Sequence, residues 1–447
     1  TFFQKKMKQY ISNNIYIYGL IILLFVAKLF FFLGYNNFSE APDSWAFNHF
    51  VTELINDNFD DYVGERTPGY PYVVYLLNHD KILVVLVQML MGIVTTVFWF
   101  KTLLNLNFSD KVAFYTTLFF SLYLQNFFFE TFILAETFML FLNSIVFYFL
   151  LNSYFEKKQI LVETTLSILI TILILVKPFF IFYPFLIFAL YLLKNFTFKK
   201  LVSVKLILFI LPMYAYFSWC SFVEEKIGYF EPTAYFGLNL AQNCLYFAEK
   251  GPKEYDFIIK PYVKYREEML QKGEDASMAV WKVWGGQHLA PKYTKFADVT
   301  NQFGKYAKAT IATNLGDYFY YSITNSWFDF WKVFDMKPYM KFEDNGFNTV
   351  VSVINSIQIF VVLILKFIFL LLSFYYLYDL IKNRKINSVM ILLAFIHAAA
   401  ILQALVVYGT NAKYAFPYEF FMLVVILQFL KERFNWFSKV AHISELV

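Results

Sequence analysis

Apolar runs long enough to cross a bilayer recur at 15–34, 81–100, 112–129, 132–152, 160–176, 178–193, 201–221, 349–378, 388–408 and 414–430. A spanning helix needs about 17–25 such residues. The pattern therefore predicts an all-α polytopic membrane protein with about ten transmembrane helices. Between the first two runs lies a polar loop from Tyr35 to Asp80. Within it Phe47, Phe50, Val51, Leu54 and Ile55 recur at helical spacing after Pro42-Asp43-Ser44, where Asp43 or Ser44 suits a helix cap. An amphipathic helix lying on the membrane surface is the expectation.

A second polar stretch, 222–348, is the one sizeable segment outside the apolar runs, with helices expected over Pro261 to Gln271 and Thr294 to Leu315 before the aromatic Tyr318 to Phe334. Three regions follow: a membrane bundle with its first loop over 1–221, a mostly helical extracytoplasmic domain over 222–348, and membrane helices with a cytoplasmic tail over 349–447. No internal repeat or low-complexity tract is evident. The first run, Ile15 to Gly34, is followed by no small-residue cleavage site, so it is expected to be a retained anchor.

Composition agrees with the pattern. Hydrophobic residues make up 59% and charged ones 16%, which excludes an ordinary soluble globule. The 58 Phe and 34 Tyr, with many Ile, Asn and Lys, point to an AT-rich coding bias more than to a special aromatic function. The net charge of +5 does not imply nucleic acid as a partner, because in a membrane protein the placement of lysines matters more than their sum. With Lys5, Lys6 and Lys8 in the cytoplasm, alternating spans put Lys101 and Lys111, Lys157 and Lys158, Lys194, Lys199, Lys200 and Lys205, Lys382, Arg384 and Lys385, and Lys431, Arg433 and Lys439 on that side too. Both termini are then cytoplasmic. Cys220 and Cys244 match no metal spacing and leave a disulfide open.

The opposite, outer side collects the unusual polar residues. Asp43 is either a helix cap or a general base. Glu65 and Arg66 are either an exposed ion pair or, pinned by Thr67-Pro68-Gly69-Tyr70-Pro71 and the apolar Val73 to Leu77, a phosphate-binding pair at the interface. Glu136 stands inside an apolar run, where an ionisable group is costly. Lys177 and Lys413 violate the sign bias of that side, although Lys177 has the alternative of snorkelling. Together Arg66, Lys177 and Lys413 suit a lipid-linked phosphate or diphosphate. Lys28 and Lys366 read as structural, with Lys28 able to reach the outer interface. The five histidines, His49, His79, His288, His397 and His442, form no metal motif, and neither a Walker loop nor GxGxxG occurs.

Glu-Arg-Thr-Pro-Gly-Tyr-Pro at 65–71, Ala-Glu-Thr-Phe at 135–138 and Lys-Tyr-Ala-Phe-Pro at 413–417 resemble the GT-C class of membrane glycosyltransferases. More narrowly, the chain looks like bacterial relatives of protein O-mannosyltransferases and of the aminoarabinose transferase that modifies lipid A. Arg66 to Pro71 carries the specific part of the likeness. The resemblance implies transfer of a sugar from a polyprenyl-phosphate donor to a protein, lipid or glycan acceptor at the outer face of a bacterial inner membrane. It implies catalytic roles for Asp43 and Glu65, donor phosphate binding by Arg66, Lys177 and Lys413, and site-lining roles for Glu136 and Tyr70. One cavity open to the outer leaflet is expected to hold Asp43, Glu65, Arg66, Glu136 and Lys177. Ser44-Trp45 follows Asp43 where the family's acidic pair would stand, so a divalent metal stays open without support from the sequence, and no cofactor is strictly required. Rival readings are an O-antigen-type polymerase or ligase using a diphosphate-linked oligosaccharide, and a transporter or flippase of lipid-linked sugars.

Overall fold

The computed structural model describes residues 2–434 apart from 153, 156–158, 195–196, 287, 290–292, 294 and 410, with side chains described from Asn14 onward. The side chains of Lys5, Lys6 and Lys8, and all of Lys157, Lys158, Lys439, His442, Thr294 and Thr410, lie outside the described residues.

Among the described residues the chain is mostly helical and has no strand. Helix α1 (Phe2–Tyr35) leads into the first loop, which holds α2 (Ser44–Asn56) and α3 (Gly69–Leu76). Then come α4 (Lys81–Asn105), α5 (Asp110–Ser121), α6 (Leu124–Thr131), α7 (Glu136–Leu150), α8 (Ile160–Val176), α9 (Phe182–Lys194) and α10 (Ile207–Ile227). The polar segment contains α11 (Phe236–Gln242), α12 (Asp256–Gln271), α13 (Ala279–Gly285), α14 (Phe296–Thr313), α15 (Leu315–Tyr321) and α16 (Phe328–Phe330). The chain returns through α17 (Asn345–Asn383), α18 (Ser388–Val406), α19 (Asn411–Ala415) and α20 (Glu419–Phe434).

Among the described residues, six helical segments are long and apolar enough to cross a membrane: Asn14–Tyr35, Lys81–Asn105, Phe198–Ile227, Asn345–Asn383, Ser388–Val406 and Asn411–Phe434. This is an all-α membrane protein. Every apolar run in the sequence coincides with helix, but not every run is one straight span. The run 112–129 is α5 and α6, bent by 51°. The backbone groups freed at that break are held by Gln358 of α17, which accepts from the Leu124 N–H at 2.8 Å and donates to the Leu122 carbonyl at 3.0 Å. Such a substitute partner is what allows a helix to break where water is scarce. Helices α7 and α8 and the stretch Pro178–Lys194 are apolar but shorter than the six. Pro178 separates α8 from the next turn and holds Lys177 extended at φ −145°, ψ 117°.

One large apolar core runs through α1, α4–α9, α17, α18 and α20. A second, around Leu238, Phe247, Tyr262, Phe303 and Tyr306, belongs to the polar segment. A small third cluster joins α2 and Tyr62 to α10 and the polar segment, through Phe50, Val223, Ile227, Ala234 and Ala297.

The expected surface helix is α2, but Phe47, Phe50 and Val51 of its apolar face are covered by protein, and Ile55 stays exposed. Phe47 meets the edge of Tyr70, and Phe50 packs on Phe59, Tyr62 and Trp219. Lys28 does not reach the interface either; it is 4% exposed and paired with Glu130 at 2.5 Å. Lys366 pairs with Glu419 at 2.7 Å, and Lys205 with Glu163 at 2.5 Å, both inside protein. Cys220 and Cys244 are buried free thiols.

Candidate functional site

The stretch Gly64 to Pro71 is seated from both sides. Gly64 adopts φ +82°, and its carbonyl accepts from the Ala234 N–H at 2.7 Å. A Cβ there would press to 2.9 Å on Ala234 and Ile227, so glycine serves both the left-handed backbone and the close approach. At the other end Thr67 Oγ1 donates to the Val176 carbonyl at 3.0 Å. A Cβ on Gly69 would lie 2.6 Å from the backbone of Leu175 and Val176. The turn thus rests on the C-terminal end of α8, one residue before Lys177. A threonine and a glycine dock the turn that carries Arg66 on the helix end that leads into Lys177.

An isolated bridge between Ser39 and Phe132 ties the first loop to the turn before α7. It brings the start of α2 beside Glu136, the first residue of α7. Lys413 arrives on α19, which Asn411 anchors by donating to the Ser326 carbonyl at 3.1 Å.

The charged groups then close on one another. Asp43 accepts from Arg66 Nη2 at 3.0 Å and from Lys413 Nζ at 3.2 Å. Lys413 lies 3.1 Å from Glu136 Oε1, to which Lys177 also donates at 3.1 Å. Three cations therefore share two carboxylates, leaving an excess of one positive charge. The Asp43 side chain is 53% exposed, whereas those of Lys413 and Glu136 are 11% and 2% exposed. The Arg66 guanidinium lies 4.9 Å from the centre of the Phe47 ring and 5.3 Å from that of Tyr235. Arg66 Nε and Glu136 Oε2 have no hydrogen-bond partner. The surrounding protein desolvates the Asp43 carboxyl, which works to raise its pKa, but Lys413, Arg66 and Lys177 outweigh this and hold it well below the usual carboxylate range.

Several expectations change. Asp43 makes no capping hydrogen bond; its carboxylate is taken up by Arg66 and Lys413. Ser44 Oγ instead accepts from the Ala41 N–H at 3.0 Å. Glu65 is not the ion-pair partner of Arg66. Its carboxylate is 1% exposed and faces His49 Nδ1 at 2.6 Å, while Arg66 reaches only the Glu65 backbone carbonyl. Tyr70 does not line a site surface: it is 1% exposed, and its hydroxyl donates to Gln88 at 2.9 Å. Lys177 does not snorkel, because Glu136 and the ring of Tyr414 hold its ammonium. Lys177 and Lys413 have each found a carboxylate, as costly bare charges in a membrane protein do, although the cluster keeps one positive charge in excess.

A cavity of about 430 Å³ is lined by Glu40, Ala41, Pro42, Trp45, Asn48, His49, Thr52 and Lys81. Pro42 and Ala41 carry its wall up to Asp43, while Asp43, Glu65, Arg66, Glu136 and Lys177 do not line it. Sequence reasoning missed His49. The signal was present in His49 and Glu53, four residues apart and so on one face of an expected helix.

Glu53, 4% exposed, has no hydrogen bond to either carboxylate oxygen. Burial and the nearby Glu65 push its pKa up to about 7, against the opposing pull of His49. No family model, curated protein or solved structure matches this chain.

Proposed function

We propose that this chain is a GT-C-type integral membrane glycosyltransferase that moves a sugar from a polyprenyl-phosphate donor to an acceptor hydroxyl of a protein, lipid or glycan. In this reading ten segments cross the membrane, with α7, α8 and α9 as short spans. The lysine-rich connections and both termini face the cytoplasm of a bacterial cell, and the site faces outward. The observation that carries the proposal is Asp43: a half-exposed carboxylate held between Arg66 and Lys413, in a cluster whose cations outnumber its acids.

The reaction is a direct displacement. The acceptor oxygen bonds to the anomeric carbon as the bond from that carbon to the phosphate oxygen breaks. The acceptor proton passes to Asp43, and the electron pair leaves with the polyprenyl phosphate. A well-placed base contributes about 10²–10⁴ in rate. Arg66, Lys177 and Lys413 neutralise the charge that grows on the leaving phosphate. No cofactor takes part in these steps.

The ion pairs give the two halves a logical order. With Arg66 and Lys413 on its carboxylate, Asp43 is a weak proton acceptor. A phosphate bound by the same cations competes for them, so donor binding raises the basicity of Asp43 at the moment an acceptor needs it. Glu136, buried and shared by both lysines, keeps them in place during the exchange.

The test is transfer of labelled sugar from polyprenyl-phosphate donors to endogenous acceptors, in membranes from cells with and without the gene. Gene-dependent glycosyl product is the expected result. Gene-dependent entry of the labelled lipid-linked sugar into vesicles with no glycosyl product would replace the transferase by a transporter. Product from diphosphate-linked oligosaccharides alone would replace it by a polymerase or ligase.

A further inference from the structure

Beside the Asp43 cluster, and separate from it, three potential metal ligands converge. His49 and Glu53 stand one turn apart on α2, and Glu65 enters from the Gly64 turn. Their ligand atoms all lie within 4.8 Å of one another. His49 Nδ1 is 2.6 Å from Glu65 Oε1 and 3.9 Å from Glu53 Oε1. Hydrogen bonding does not explain Glu53: its side chain is 5% exposed, and neither oxygen has a partner. Two buried carboxylates against one imidazole leave negative charge uncompensated, which is costly in this setting. The exposed part of His49 lines the 430 Å³ cavity, and Trp45 stacks on its ring at 5.4 Å and 13°.

We propose that His49, Glu53 and Glu65 bind a divalent transition-metal cation of the Mn²⁺ or Zn²⁺ type. One imidazole nitrogen with two carboxylate oxygens suits these ions. Bonds of about 2.0–2.2 Å bring such ligand atoms to roughly 3.3–3.5 Å from one another. The 2.6 Å contact must open and the 3.9 Å contact must close, shifts within reach of side-chain rotation. Three protein ligands leave a coordination position for water on the cavity side. The cation neutralises the buried carboxylates and fixes the base of the turn that presents Arg66, whose Nη1 donates to the Glu65 carbonyl at 3.3 Å. This proposal does not depend on the transferase reading.

The test uses the full chain, purified in detergent and stripped with a chelator, then titrated with Mn²⁺ while the electron paramagnetic resonance signal of the free ion is followed. One Mn²⁺ per chain is expected, displaced by Zn²⁺ and accompanied by a higher melting temperature. Glu53→Gln and His49→Ala are expected to weaken binding at least tenfold, while Asp60→Asn, an exposed acid of the same loop, binds like the parent. Glu53→Gln keeps shape and packing, so its melting temperature without metal checks that it folds. Absence of saturable binding overturns the proposal. So does equal weakening by Asp60→Asn, which would mean diffuse surface attraction. A Glu53→Gln protein that still binds also overturns it, as does a melting temperature insensitive to Mn²⁺ but raised by acidification from pH 8 to 6, the mark of a carboxyl that simply holds a proton.

Discussion

Two charged groups in the same bundle show how differently a membrane protein treats a lysine. Lys28 and Glu130 are matched one to one, with side chains 5% and 2% exposed. Gly92 lets them close, since a Cβ there would sit 1.9 Å from Glu130 Oε1. The Asp43 cluster is unequal in charge, open at Asp43, and carries orphan polar atoms at Arg66 and Glu136. A sealed, balanced pair has nothing left to offer a ligand. An open, unbalanced one does.

The largest effect should come from unbalancing the sealed pair. Lys28→Met leaves Glu130 buried without its cation, and breaking a buried pair typically costs about 3–5 kcal/mol. Thermal unfolding in detergent should show a large loss, much of it recovered by Lys28→Met with Glu130→Leu. If the single variant melts like the parent, the contrast between the two regions disappears.

Arg66→Lys probes the open cluster at a gentler level. The charge stays, but the planar fork between Asp43 and the rings of Phe47 and Tyr235 is lost. Donor affinity is expected to fall about tenfold, equivalent to roughly 1.4 kcal/mol. The melting temperature should move little. Binding of polyprenyl phosphate measured by calorimetry reads the first, and a melting curve the second.

The smallest effect is on acid stability. Asp43 has a folded-state pKa below its unfolded value of about 3.9, so at low pH the unfolded state binds more protons than the folded one. The stability its pairing contributes is complete above that unfolded value and drains as pH falls through the folded one. Melting temperatures between pH 6 and pH 2.5 should fall less steeply for Asp43→Asn than for the parent. Parallel curves would deny the pairing any role in stability.

Much of the fold was legible because long apolar runs in a membrane protein have one low-cost solution, the helix. What the runs do not reveal is how a break is repaired. The bend between α5 and α6 depends on Gln358, more than two hundred residues away in sequence. The candidate site was legible as a set of residue types: Asp43, Arg66, Glu136, Lys177 and Lys413 do come together. Their pairing was not. The adjacency of Glu65 and Arg66 suggested a pair, yet neighbours at such a turn point opposite ways, Glu65 toward His49 and Arg66 toward Asp43. Tyr70 misled for a related reason, since the apolar run that pins the turn also carries that ring into the core. Lys28 read as structural, and its buried pairing agrees, but its partner was not legible because Glu130 lies on another helix.

The central claim is that Asp43 both restrains the cations and takes the acceptor's proton. It is tested most directly by measuring, for Asp43→Asn and the parent, the affinity for polyprenyl phosphate and the single-turnover rate of sugar transfer on one preparation. Removal of the carboxylate frees Arg66 and Lys413, so the variant should bind the phosphate at least as tightly as the parent while transfer slows by about 10²–10⁴. Transfer by Asp43→Asn at near the parent rate, or loss of phosphate binding with turnover intact, would contradict the account.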